Sequence, residues 1–237
     1  MVASDQTDGT VHKGQHMSKQ PRLLILASGT ETGGGSGARE LVLQARQGVL
    51  GANIVGIASQ HERGGVSLVC EELCTRERFI HFPGPWTAEA YQRLVRETKA
   101  DFVACSGWLK LVLGLDPATT TNIHPGPLPA FGGKGMYGRH VHEAVMAAYA
   151  SKKIAHTAIC MHFVTPVYDD GPVFFRLNIL VLPSDTPESL ATRVNMLEHR
   201  WQSRMTNLIV TGQISWSGVP GDSVIYPPGY SPVLWAT

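Results

Sequence analysis

Hydrophobic positions along this chain alternate between two spacings. RLLILAS (22–28), NIVGIAS (53–59), FIHF (79–82) and DFVACSG (101–107) are short aliphatic runs with little polar interruption, the pattern of strands covered on both faces. Between them lie segments with apolar residues three and four apart. One is ARELVLQARQGVLG (38–51), with Leu41, Val42, Ala45 and Val49 on one face and a stop at Gly51; the others are GVSLVCEELCTRE (65–77) and TAEAYQRLVRETKA (87–100), the last with Thr87 placed as an N-cap. Strand alternating with helix predicts βαβ units and a parallel sheet. Further along, RHVHEAVMAAYAS (139–151) reads as a helix, HTAICMHFVT (156–165) and GPVFFRLNILVL (171–182) as strands, and TPESLATRVNMLEHRWQSRMTNLIVTG (186–212) as a long helix.

Two strands in direct succession predict an antiparallel addition to that sheet. The pattern as a whole predicts an α/β fold: an open, mostly parallel, Rossmann-like sheet with helices on both faces and an antiparallel C-terminal extension. The proline-rich end, YPPGYSPVLWAT, is expected to wrap the surface. Residues 1–20 are polar, show no period and are read as a disordered leader, which leaves 21–237 as a single domain.

Composition narrows the function classes. Charged residues make up 16% of the 237 and the formal net charge is +1, so no polyanion partner such as nucleic acid is implied. No apolar run reaches the roughly 18 to 20 residues that cross a bilayer. Cys70, Cys74, Cys105 and Cys160 are scattered without a C-x-x-C pair and no secretory signal opens the chain, which together predict a reduced, cytoplasmic protein. Monomer and homodimer both stay open.

Three stretches carry candidate chemistry. The loop ASGTETGGGSGARE satisfies G-x-G-x-x-G/A at Gly33, Gly35 and Ala38, but five residues separate it from the strand, where a dinucleotide fingerprint turns at once. What it retains is a glycine loop at a helix N-terminus, suited to a phosphate at Gly35, Ser36 and Gly37 or to a plain connection. In TTTNIHPGPLPAF, Asn122 and His124 stand two apart on an extended backbone and face one side, while Ile123 faces the other and Pro125 ends the strand. After HFVT, the loop Tyr168-Asp169-Asp170-Gly171-Pro172 offers a carboxylate. Placed beside His124, it would raise the pKa of the imidazole and make an acid; alone it reads as a solvated turn. His140 and His142, two apart on a helix, splay too far to share a metal, and no H-E-x-x-H accompanies them, so none is expected.

NIHPGPLPAF, then HFVTPVYDDGPVFF, then TPESLATRVNMLEHRW, in that order and over nearly the whole chain from residue 22, resembles the folate-dependent formyltransferases, in particular the branch that acts on glycinamide ribonucleotide in purine biosynthesis. The resemblance implies a formyl transfer from 10-formyltetrahydrofolate to a primary amine, with Asn122, His124 and Asp169 as the catalytic trio. It implies that the pterin lies against Leu109, Lys110, Leu111, Val112 and Tyr168, read by backbone groups. It places the acceptor's phosphate on the glycine loop and its amine near Asn195 and Glu198. Leu128-Pro129 becomes a candidate cis bond. The substrates so implied are two small molecules, a folate and a phosphorylated amine.

Two segments depart from the family: the loop before Gly37, which stands where relatives carry Asn, and GGKGMYGRH (132–140), which is longer than usual. Other acceptors (methionyl-tRNA, an amino sugar nucleotide), hydrolysis of the folate, a non-catalytic folate-binding module and an NAD-dependent oxidoreductase stay open at this point.

Overall fold

A computed structural model describes residues 19–73 and 79–236. The eight described strands are β1 (Arg22–Leu26), β2 (Asn53–Ser59), β3 (Phe79–His81), β4 (Phe102–Cys105), β5 (Thr120–His124), β6 (His156–Phe163), β7 (Val173–Leu180) and β8 (Val233–Trp235). They form one sheet in the order β3-β2-β1-β4-β5-β6-β7-β8. Pairing is parallel from β3 through β5, antiparallel at β5·β6 and β6·β7, and parallel again at β7·β8. The described helices are α1 (Ser36–Arg46), α2 (Gly65–Leu73), α3 (Ala88–Thr98), α4 (Arg139–Ala150) and α5 (Pro187–Val210).

The uninterrupted aliphatic run of β1 has a direct cause. Leu23, Ile25 and Ala27 pack with α1 and α2 on one face, while Leu24 and Leu26 pack with Tyr91 and Leu94 of α3 on the other. With both faces buried, neither set of alternate positions tolerates a polar residue. Beyond β5 the core changes partners: Phe163, Phe174 and Phe175 join Val141 and Val145 of α4 and Leu190 and Val194 of α5.

Thr87 caps α3 as expected, its hydroxyl accepting from the Ala90 amide at 3.3 Å. At the start of α5, Thr186 and Ser189 form a reciprocal capping box with Pro187 in the first turn. The 24 residues of α5 make a rod of roughly 36 Å, long enough to lean on both α1 and α4.

Two expectations change. The helix of 38–51 ends at Arg46, and Val49 is exposed while Leu50 is buried; the chain turns at Gly48, whose φ of 78° suits glycine, before Gly51 is reached. The C-terminal segment does not only wrap the surface: Val233–Trp235 adds a strand beside β7, with the Arg176 amide donating to the Pro232 carbonyl at 2.7 Å. The helix beginning at Gly65 is described as far as Leu73; its remainder with Cys74, and residues 1–18 of the leader, lie outside the described residues.

Candidate functional site

In an open α/β sheet, ligands meet the carboxyl ends of strands where strand order reverses. Here the order reverses between β1 and β4, and a cleft of about 920 Å³ opens beside them, extending past the end of β5. Its floor carries Ser106 to Lys110 after β4, and one wall is the α5 face bearing Ala191, Asn195, Glu198 and Gln202. The glycine loop, Tyr168, Asp169 and the segment Gly133–Arg139 complete the lining.

The strand end NIH delivers two side chains to this cleft. Asn122 is half-buried and His124 buried, both lining it, while the Ile123 side chain packs into the core with Val141 and Met161. Leu128-Pro129 is cis, as is Gly84-Pro85. The turn that follows brings the Phe131 carbonyl within 2.7 Å of His124 Nε2. A carbonyl only accepts, so Nε2 carries a proton and Nδ1 is the remaining nitrogen. That nitrogen faces Asp169 Oδ1 at 3.7 Å.

Asp169 sits in the turn after β6 with a left-handed φ of 54°, and its Oδ2 accepts from the Gly133 amide at 2.9 Å. Burial is the largest influence on this carboxyl and opposes its charge. The neighbouring His162 and His124 rings and the Gly133 amide together outweigh it, so its pKa lies below the ordinary value. Asp170, next along, is exposed.

The electrostatics of His124 reverse an expectation. Burial lowers its pKa by more than Asp169 and the Phe131 carbonyl raise it, and His162 lowers it further. The ring is therefore neutral in the resting cleft at neutral pH and is not held cationic by Asp169. A proton on Nδ1 becomes favourable only when new negative charge appears beside it.

His162 is a site residue that sequence reasoning passed over. It lies directly opposite Asn122 in the β5·β6 pairing, with Nε2 at 3.1 Å from Asn122 Nδ2 and 3.4 Å from Asp169 Oδ1. Its Nδ1 donates to the Phe163 carbonyl at 2.8 Å, which leaves Nε2 to accept from the Asn122 amide. That orients the amide and leaves its second N–H for the cleft. The signal was available in the H of H-F-V-T, but only cross-strand register shows what it meets.

Of the residues assigned to the pterin, Leu109, Lys110 and Tyr168 line the cleft; Leu111 and Val112 do not, and Val112 is packed against Trp108 and Tyr91 in the core. The Leu109 amide is already donated to Ser28 Oγ at 2.9 Å, so only its carbonyl is free to read a ligand edge. The Lys110 ammonium rests 4.4 Å above the Trp86 ring.

On the acceptor side, Gly35, Ser36, Gly37, Asn195 and Glu198 all line the same cleft. Gly35 caps α1 in a left-handed conformation with no side-chain hydrogen bond, which leaves first-turn amides without a capping acceptor. Ser36 Oγ is 3.1 Å from His199 Nε2. Gly37 is packed so closely that a Cβ there would lie 2.2 Å from Ser106 Oγ, which donates to Gln202 at 2.9 Å. Close approach, then, accounts for the glycine at this position. Burial raises the pKa of Glu198 from 4.5 to about 7, against a hydrogen bond from Asn195.

Among the described residues no group of three or more His, Cys, Asp or Glu is arranged to hold a metal, and no helix is long and apolar enough to cross a membrane. His140 is exposed beside Glu143, whereas His142 is buried at the edge of the cleft with Nδ1 unpaired.

A family model described as formyl transferase matches residues 22–206. The chain is 30% identical over 233 residues to the chloroplastic phosphoribosylglycinamide formyltransferase of Arabidopsis thaliana, covering 91% of this chain and 73% of that protein. It is 31% identical over 111 residues to the phosphoribosylglycinamide formyltransferase of Bacillus subtilis, covering 45% of this chain and 52% of that one. Among solved structures, glycinamide ribonucleotide transformylase 1 from Symbiobacterium toebii superposes with a TM-score of 0.73 at 22% identity, covering 88% of this chain and 94% of that one. The phosphoribosylglycinamide formyltransferase from Brucella melitensis does so with a TM-score of 0.65 at 25% identity, covering 82% and 97%.

Proposed function

Because the chain belongs to the formyl transferase family, we propose that it moves a formyl group from 10-formyltetrahydrofolate to the primary amine of glycinamide ribonucleotide, a step of purine biosynthesis. The observation that carries this reading is the meeting of Asn122, His124 and Asp169 in one cleft that is also lined by the uncapped N-terminus of α1. The acceptor is the one named for the relatives, and the glycine loop, Asn195 and Glu198 offer a place for it.

The chemistry follows from what each group can donate or accept. The amine nitrogen attacks the formyl carbon, a C–N bond forms, and the carbonyl oxygen becomes an oxyanion. The free N–H of Asn122 points a donor at that oxygen with no proton to lose. His124 meets the same charge through Nδ1, which takes up the proton that the attacking nitrogen sheds once its C–N bond has formed, and is then paired by Asp169. When the C–N10 bond breaks, N10 needs a proton, and the Nδ1 proton of His124 is placed to supply it.

The proton lost by the acceptor ammonium goes to a base, and Glu198, with a pKa near 7, is matched to that exchange. The acceptor's phosphate lies against the first-turn amides of α1 and Ser36, where the helix dipole favours an anion. The pterin lies by Leu109, Lys110 and Tyr168.

A formyl-transfer assay with a panel of amine acceptors tests the proposal. Wild type is expected to transfer to glycinamide ribonucleotide and to release little formate without acceptor. His124→Ala is expected to lose turnover by ~10²–10³, the typical cost of one oxyanion donor, with an unchanged circular dichroism spectrum. Wild-type turnover in that variant, or formate release independent of acceptor, would overturn it.

A further inference from the structure

We infer that the backbone turn Phe131-Gly132-Gly133 is a positioning element that holds the His124 imidazole and the Asp169 carboxylate face to face, and that Gly132 keeps the room this requires. The inference rests on the reading above, in which these two groups serve one reaction.

Both partners are held by main-chain atoms of the same three residues. The Phe131 carbonyl takes the Nε2 proton of His124 at 2.7 Å, and the Gly133 amide donates to Asp169 Oδ2 at 2.9 Å. This arrangement turns Nδ1 and Oδ1 toward each other at 3.7 Å, beyond hydrogen-bond distance for neutral groups and close enough to pair once Nδ1 is protonated.

The turn is itself anchored. The Phe131 amide donates to the Pro127 carbonyl at 3.1 Å, the Gly132 amide to the Pro129 carbonyl at 3.2 Å, and the Arg176 guanidinium of β7 donates to the Leu128 carbonyl. Asp169 needs external holding, because its own backbone occupies a left-handed conformation that a non-glycine residue adopts at a cost.

The side-chain position at Gly132 completes the case. A Cβ there would lie 2.4 Å from Leu128 Cδ2 and 3.0 Å from Asp169 Cβ. The leucine methyl yields easily; the aspartate can yield only by moving its carboxylate away from the Gly133 amide. The titratable groups facing Asp169 are His124 from β5 and His162 and Cys160 from β6, with His142 of α4 beside His124. Displacing the carboxylate therefore changes its own ionisation and its hold on both histidines.

The test uses the full chain. Gly132→Ala is expected to lower kcat by about tenfold with KM for both substrates within about twofold, the loss of one hydrogen bond to a charged group. The acidic limb of the Asp169 carboxyl's carbon-NMR pH profile is expected to move upward by about one pH unit, since an amide donor favours the ionised carboxyl. A purely structural role would lower active protein without moving that limb.

Where Gly132→Ala does not fold, the same profile is read on the chain with glycolic acid at position 133, which replaces the N–H by an ester oxygen and adds no bulk. An unchanged pH limb in the folded variant overturns the inference. Asp169→Asn separates the two levels: full turnover in that variant sinks the reading of the reaction itself. Lost turnover there, with an unshifted limb in the turn variant, sinks the positioning role alone.

Discussion

Glu198→Gln perturbs a carboxyl that the cleft holds away from water. Its pKa moves from 4.5 to about 7, with burial as the leading cause. At 1.36 kcal/mol per pH unit this difference corresponds to about 3 kcal/mol; because the residue keeps part of its surface open to the cleft, we reduce it to about 1.5 kcal/mol.

The sign follows from proton binding. Between pH 4.5 and 7 the folded chain retains a proton that the unfolded chain has released, so stability falls as pH rises through that window and is level above it. Glutamine has no charge to desolvate and escapes this loss.

The melting temperature of Glu198→Gln minus that of wild type should be near zero at pH 4.5 and reach roughly 3 to 6 °C by about pH 8, using about 2 to 4 °C per kcal/mol for a chain of this size. Scanning fluorimetry across pH 4.5 to 8 reads that difference directly, and effects of other titrating groups cancel in it. A difference that stays flat with pH would refute the claim that this carboxyl is desolvated. The same variant is expected to lose formyl transfer, gaining stability where it loses a base.

Three further outcomes follow from the cleft. His162→Ala removes the acceptor that orients the Asn122 amide, and kcat is expected to fall by about 10²-fold, toward the cost of losing the oxyanion donor itself, with little change in KM; an unaltered kcat would show that Asn122 needs no such partner. Gly37→Ala places a methyl 2.2 Å from Ser106 Oγ, an overpacking worth about 1 to 3 kcal/mol, and is expected to raise KM for the acceptor more than for the folate; equal KM values for both would argue against an acceptor site there. His124 and His142 both have lowered pKa values, burial being the first cause of each. The unfolded chain thus gains protons first as pH falls below 6.5, and stability present above that value is lost below it. His142→Phe should flatten part of that acid loss in urea titrations between about pH 5 and 7, and an unchanged slope would mean His142 is not buried neutral.

Residue order alone determined the α/β alternation, because a strand covered on both faces must be apolar at every position while a helix must be apolar only every three or four. It also determined that Asn122 and His124 share a side, since extended backbone repeats every two residues, and resemblance singled out Asp169 rather than its exposed neighbour Asp170. Tertiary structure decided the rest. His162 reaches Asn122 through cross-strand register, and β8 exists because β7 offered an open edge, neither of which has a local signature. The neutral state of His124 reflects burial outweighing its carboxylate, and the pKa of Glu198 reflects the wall it stands in. Desolvation depends on everything packed around a group, so its sign is set only when segments distant in the chain have closed over it.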